Sequence, residues 1–182
     1  MNKAIFLDRD GTINIEVDYL HHSEKFVFED TVLETLSKCK QLGYLLIVVS
    51  NQSGVGRGYY SEDDVNSLHR HVNEMTKEYG FSFDDFYFCP HHPEKALGKY
   101  KIDCDCRKPK PGMIIEAVKK FSIDLEKSYM IGDKKSDIEA GKAVGMKTIL
   151  VGSGYGEKTK ENYNNYDFYA EKLVDILEFI EK

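Results

Sequence analysis

Long apolar runs are missing from this chain. The densest, Leu45 to Val49, falls far short of the roughly 20 residues a membrane-spanning helix needs, which excludes a transmembrane segment of that kind. A basic excess is missing too. The 25 Lys and Arg residues are outnumbered by 31 Asp and Glu, for a net charge of −6, which argues against nonspecific attachment to nucleic acid or to an anionic membrane surface. A protein of this sign that handles a phosphate must bring a cation. No positively charged segment followed by an apolar stretch opens the sequence, so a cytoplasmic location is expected. Cysteine is scarce: Cys39 stands alone, while Cys89, Cys104 and Cys106 cluster. In a reducing compartment such a cluster points to a metal rather than to disulfides. Repeats, linkers and low-complexity tracts are also absent. With 182 residues, one domain over 1–182 is expected, large enough to bury roughly 70% of the surface of its unfolded chain.

Short apolar runs alternate with helical periodicities. Ala4-Ile5-Phe6-Leu7, Tyr44 to Val49, Phe83 to Cys89, Tyr129 to Asp133 and Lys147 to Val151 read as strands, with Tyr166 to Tyr169 as a short edge strand. Between them, Val32, Leu33, Leu36, Cys39 and Leu42 recur near helical spacing, with Asp30 as a candidate cap and Gly43 as the stop. Ser61 with Asp64 makes a capping-box-like start for a helix through Val65, Leu68, Val72 and Met75 that ends by Gly80. Pro111 suits the first turn of a helix through Phe121. Ser136 to Val144 forms a shorter helix, and Leu173, Ile176, Leu177 and Ile180 stripe a terminal one. Strands alternating with helices predict an α/β fold: a Rossmann-like three-layer sandwich with a central parallel sheet. No insert approaches domain size, so no large cap domain is expected and the active site should be open.

Ligands of such sheets bind beyond the carboxyl ends of the strands. The first strand runs into Asp8-Arg9-Asp10-Gly11-Thr12, the second into Ser50-Asn51-Gln52-Ser53 and a glycine-rich stretch, the fourth into Asp133. A period of two aims Asp8 and Asp10 the same way and Arg9 off. Taken alone, Asp8 and Asp10 read equally well as a solvated turn, Ser50 as a strand-end cap and Lys108 as a surface lysine. Together, converging carboxylates with a serine, a lysine and glycine-rich backbone suit phosphoryl transfer to an aspartate, with a hard cation held by oxygen ligands. Two unit charges about 4 Å apart repel by roughly 4 kcal/mol at an effective dielectric near 20, so a phosphate among these carboxylates requires cations.

In this ordered set the sequence resembles the aspartate-nucleophile phosphatases of the haloacid dehalogenase superfamily. The resemblance rests on Asp8-Arg9-Asp10-Gly11-Thr12, Ser50, Lys108, and Gly132-Asp133 with Asp137. It implies Asp8 as nucleophile, Asp10 as proton shuttle, Ser50 and Lys108 as holders of the transferring group, and Mg²⁺ on Asp8, Asp133 and the backbone carbonyl of Asp10. Asp137 reads equally as a helix cap or as a support of the metal ligands. Lys134 reads as a phosphate contact or a solvent-facing lysine, ranked below Lys108.

The second cluster, Cys89-Pro90-His91-His92 and Cys104-Asp105-Cys106-Arg107-Lys108, offers three thiols and an imidazole. That is a complete tetrahedral set for a structural Zn²⁺, able to fold the polar insert within 89–110. The alternative is a group of free cysteines. The arrangement resembles the loop of one branch, the heptose 1,7-bisphosphate 7-phosphatases and the related histidinol-phosphate phosphatases. By that resemblance Cys89, His91, Cys104 and Cys106 are the ligands, with His92 the runner-up for the histidine position. It also implies a nucleotide-heptose route, with Glu16, Val17, Asp18, Tyr19, Asn51, Gln52, Ser53 and Arg107 lining the substrate pocket. Arg57 and Arg107 are candidates for a second phosphate. The chain's length and long zinc loop lean toward the heptose enzyme, with a small sugar bisphosphate as partner and a monomer as the expected state. A non-turnover phospho-acceptor is a competing class, disfavoured by Asp10. A zinc-stabilised binding domain is another.

Overall fold

A computed structural model describes residues 1–180. The chain runs β1 (Lys3–Leu7), α1 (Val32–Gln41), β2 (Tyr44–Asn51), α2 (Ser53–Gly56), α3 (Glu62–Lys77), β3 (Asp85–Cys89), α4 (Gly112–Phe121), β4 (Tyr129–Gly132), α5 (Lys135–Lys142), β5 (Lys147–Val151), α6 (Gly156–Asn162), β6 (Phe168–Ala170) and α7 (Ile176–Ile180). The six strands form one sheet in the order β3-β2-β1-β4-β5-β6, and every pairing is parallel. The order reverses between β1 and β4, the switch point where open α/β sheets place their ligands.

Strand alternation divides the interior into two layers. Ile5, Leu7, Leu46, Val48, Ile131 and Ile149 pack with residues of α1, α3 and α7 such as Leu36, Leu68 and Ile176. Ala4, Phe6, Ile47, Val49 and Met130 pack on the other face with Met113, Ala117 and Ala140 of α4 and α5. Strands buried on both faces need apolar residues at successive positions, which is why they appear in the sequence as continuous runs. The three-layer α/β sandwich expected from the sequence is the architecture observed among the described residues. None of the described helices is long and apolar enough to cross a membrane.

Several local readings differ. The residue before α1 is Thr31, in the left-handed region at φ 66°, with no side-chain cap; Asp30 instead reaches Lys172, 2.8 Å away. β3 begins at Asp85 rather than Phe83, because the Phe83 N–H donates to Asn73 Oδ1 rather than to a neighbouring strand. The edge strand lies at Phe168–Ala170, shifted toward the C-terminus. Helices α2 and α6 had no forecast. The first is a four-residue turn in the glycine-rich stretch, and α6, Gly-Glu-Lys-Thr-Lys-Glu-Asn, has no apolar stripe to announce it. The Ser61–Asp64 capping box is present in both directions.

Candidate active site

Asp8 leaves β1 on the α4/α5 side of the sheet, in step with Ala4 and Phe6. There it meets Asp133, at the end of β4, and Asp137, in the first turn of α5. One oxygen from each of the three buried carboxylates lies within 4.8 Å of the others. Lys108 Nζ sits 2.8 Å from Asp8 Oδ1 and 2.7 Å from Asp137 Oδ1, and donates to the Val49 carbonyl at 2.6 Å. Its backbone is held by Asn51, whose amide donates to Lys108 O and accepts from Lys108 N–H, both at 3.0 Å. The cap reading of Asp137 is the one its hydrogen bonds bear out. Oδ2 caps α5 by accepting from the Lys134 N–H at 2.9 Å, while Oδ1 faces the active-site lysine.

Burial pushes the Asp8 carboxyl up, but Lys108 and then Lys134 pull harder, and the net direction is down: Asp8 is ionised. Lys108 is pushed up, because Asp137 and Asp8 outweigh the burial that would lower it. Asp137 leans up through burial first and Asp8 second, against the pull of Lys108. Lys108 carries the charge of this group, since it faces two carboxylates. Asp133 is raised to about 8 by burial, then by Asp8 and Asp137.

Three carboxylates against one fully engaged ammonium leave a deficit of positive charge. Lys134 cannot cancel it alone, because it is also shared with Glu16 at 3.1 Å; burial opposes its charge, but Asp8, Asp133 and Glu16 raise it overall. Asp133 Oδ1 is buried and has no hydrogen-bond partner among the described residues, while Oδ2 accepts from the Tyr155 N–H at 2.8 Å. An orphaned carboxylate oxygen beside two further carboxylates is the donor set of a hard divalent cation, and it fits Mg²⁺.

Asp10 lies past the end of the strand, so the period of two no longer governs it. Its carboxylate is outside the three-carboxylate cluster and turns to Arg9, Asn14 and Gln52. It borders an open cavity of about 220 Å³, also lined by Glu16, Asp18, Tyr19, Asn51, Gln52, Ser53, Tyr60, Lys134 and Tyr155. A smaller recess joins Asp8, Asp10, Asn51, Lys108, Lys134 and Asp137. A larger groove near α1, of about 670 Å³, contains none of these groups. Glu16 is raised by burial, with Lys134 opposing and Asp10 adding to it. Ser50 is buried, its Oγ accepting from Gln52 Nε2 at 2.8 Å.

Not every expected pocket residue arrives there. Val17 is exposed and lines neither cavity. Arg107 donates to the His91 carbonyl at 3.2 Å. Arg57 lies over the Tyr19 ring, 5.7 Å from its centroid, with a buried Nε that has no partner among the described residues. The sequence reading passed over Gly152 to Tyr155. Here Ser153 donates to the Gly11 carbonyl and Tyr155 supplies the N–H to Asp133. The usable signal was position, a glycine-rich segment directly after a core strand.

Cys89 ends β3 and meets Cys104, Cys106 and His91. The sulfur atoms are 3.1–3.4 Å apart, and His91 Nδ1 lies 3.7 Å from Cys89 and 3.5 Å from Cys106. Ligands at zinc bond lengths of about 2.0–2.3 Å in a tetrahedron stand roughly 3.5–3.8 Å from one another. The cluster is close to that size, and its donors fit Zn²⁺. His92 is not part of it, because its Nδ1 accepts from the N–H groups of Glu94 and Lys95.

Comparison with known proteins agrees with this geometry. The HAD-hydrolase-like family model matches residues 105–176. A protein of Pasteurella multocida named D-glycero-beta-D-manno-heptose-1,7-bisphosphate 7-phosphatase is 44% identical over 181 residues, covering 99% of this chain and 97% of its own. The chain belongs to the heptose-bisphosphate phosphatase family of haloacid dehalogenase-like hydrolases. A second member of the family, from Burkholderia mallei, carries the alpha-anomer name and is 49% identical over 150 residues, 82% of this chain and 79% of its own. Among solved structures, the D,D-heptose 1,7-bisphosphate phosphatase of B. bronchiseptica, complexed with magnesium and phosphate, superposes with a TM-score of 0.87 at 27% identity over 98% of both chains. Family membership makes the protein a phosphoric monoester hydrolase, and the magnesium of that neighbour matches the donor set found here.

Proposed function

We propose that this protein removes the 7-phosphate of D-glycero-D-manno-heptose 1,7-bisphosphate, acting as a cytoplasmic, monomeric, single-domain enzyme of nucleotide-heptose synthesis. One observation carries the chemistry. Asp8, paired with Lys108 at 2.8 Å, faces a recess bordered by Asp10, which supports reading the three as nucleophile, cation and proton shuttle.

An Asp8 oxygen attacks phosphorus, forming an aspartyl phosphate as the bond to the sugar oxygen breaks. Asp10 gives its proton to the departing oxygen, then takes one from the water that attacks phosphorus and returns Asp8 as a carboxylate. Ser50 and neighbouring N–H groups hold the transferring oxygens, and Lys108 offsets their charge. Asp8, Asp133 and the backbone carbonyl of Asp10 would hold Mg²⁺, which neutralises charge on the phosphoryl group when bound. Cys89, His91, Cys104 and Cys106 would hold a structural Zn²⁺ and so fix the loop that carries Arg107 and Lys108. Glu16, Asp18, Tyr19, Asn51, Gln52, Ser53 and Lys134, which line the cavity, are assigned to the sugar and its phosphates. An open cavity of about 220 Å³ suits a small, polar ligand that keeps part of its hydration.

The deciding experiment compares kcat/KM for both heptose bisphosphate anomers, histidinol phosphate and simple sugar monophosphates. The heptose bisphosphates are expected to lead. A clear preference for histidinol phosphate overturns the substrate assignment.

A further inference from the structure

Arg9 is only 1% exposed, a cation buried in the interior. Its side chain reaches His69 of α3 and the Leu20 carbonyl, on the sheet face that α1 and α3 cover and away from the three-carboxylate cluster. Its Nε donates to Asp10 Oδ1 at 3.2 Å, and Nη2 lies 3.0 Å from both Asp10 oxygens. Nη2 also donates to the Leu20 carbonyl at 2.9 Å. Asn14 reaches one oxygen of Asp10 and Gln52 the other; of these three side chains, only Arg9 contacts both.

Behind the guanidinium stands His69 of α3, its Nε2 3.4 Å from Arg9 Nη1. Arginine has donors only, so His69 must accept, which makes it a neutral imidazole with its proton on Nδ1. Burial, and then the Arg9 charge, hold it in that form by lowering its pKa to about 3. Its ring plane is fixed by stacking on Phe86, 4.6 Å between centroids at 19°, and by an edge contact with Phe88. The remaining ring nitrogen, Nδ1, is buried without a partner among the described residues. A phenylalanine here would keep the stacking and leave no polar atom stranded, so packing does not account for an imidazole at this position.

We infer that Arg9, braced by His69, is the positioning residue for Asp10, fixing its carboxyl group in the orientation from which, protonated, it gives a proton to the departing oxygen. The inference rests on the reading of Asp10 as proton shuttle. Disturbing the brace should matter most when the leaving group is a strong base that needs a proton, and least when it departs readily as an anion.

The test measures kcat and KM on phenyl phosphate, a poor leaving group, and 4-nitrophenyl phosphate, a good one, for Arg9→Met, His69→Phe, His69→Gln and Asp10→Asn. Arg9→Met is expected to lower kcat about 100-fold on phenyl phosphate and less than about 5-fold on 4-nitrophenyl phosphate, with KM within about twofold of wild type. His69→Phe should show the same leaving-group bias at about 10-fold, and His69→Gln, whose amide oxygen can accept from Arg9, should recover to within about 3-fold. Equal losses on both substrates, a change confined to KM, or an unaffected His69→Phe would overturn the inference. Should Arg9→Met fail to fold, the His69 pair decides, because the phenylalanine keeps the aromatic stack. Asp10→Asn separates the two levels: retained turnover on phenyl phosphate removes Asp10 as shuttle and the inference with it. An inactive Asp10→Asn beside unbiased Arg9 and His69 variants removes only the inference.

Discussion

Burial decides what each acidic residue of the site can do. Asp8, Asp133 and Asp137 are nearly inaccessible, and a carboxylate withdrawn from water persists only with a cation at hand. Lys108 supplies one for Asp8 and Asp137; the orphaned oxygen of Asp133 calls for another. Asp8→Asn should therefore keep the fold, by circular dichroism, while Mg²⁺-dependent phosphate release falls at least about a thousandfold. His69 carries a stability prediction with a definite sign. Its folded pKa of about 3 lies below the ordinary 6.5, so between those limits the unfolded chain binds a proton that the native protein does not. Its contribution is fully favourable above pH 6.5 and is lost as pH falls toward 3. Urea titrations should show wild type losing about 2 kcal/mol relative to His69→Gln on going from neutral pH to about pH 5. Asp8, Ser50 and Asp133 were legible in the sequence because each stands at the end of an apolar run, and Lys108 only through its place in the ordered set. The partners of Arg9 and Asp10 were not, because strand periodicity stops where β1 does.

At the level of elements, the site is a set of loops pinned at the carboxyl edge of the sheet. The loop after β1 and the loop after β5 touch through two glycines with positive φ, Gly11 at 85° and Gly154 at 55°. A Cβ on Gly154 would come within 2.4 Å of Asp133 Oδ2 and 2.6 Å of Gly11 Cα. Gly154→Ala should cost at least about 1–2 kcal/mol from the backbone conformation alone, visible in thermal unfolding, and should weaken Mg²⁺ dependence by displacing Asp133. The zinc loop gives a separate expectation. Cys104→Ser removes one of four donors, so bound zinc by metal analysis should drop below stoichiometric, with kcat reduced through Lys108, two residues beyond Cys106. Long strands and the capped α3 could be read directly from apolar runs and the Ser61–Asp64 pair. Polar α6 and the start of β3 could not, because tertiary hydrogen bonds rather than periodicity set them.

For the whole molecule, an acidic chain at net charge −6 with three carboxylates drawn into its interior is held in that state by cations. Binding to the native state alone stabilises by mass action, so Mg²⁺ at 100 times its Kd should add about 2.7 kcal/mol to unfolding. Chelation should reverse the gain, and Asp133→Asn should largely abolish it. If the chain is one domain, as proposed, far-UV and near-UV signals should shift together in that experiment. The sequence by itself determined the architecture and the chemical inventory: apolar runs of strand length, helical stripes between them, and carboxylates, a serine and a lysine in fixed order behind the strands. Those signals are local, set by neighbours a few residues apart. Only the tertiary structure decided which groups meet. Sheet order and the loops behind it bring positions 8, 108, 133 and 137 together and place His69 behind the Arg9 guanidinium, while local hydrogen bonds turn Asp10 toward Arg9 and keep His92 out of the cysteine cluster. Distances between residues far apart in the chain follow from strand order and packing, which no local pattern encodes.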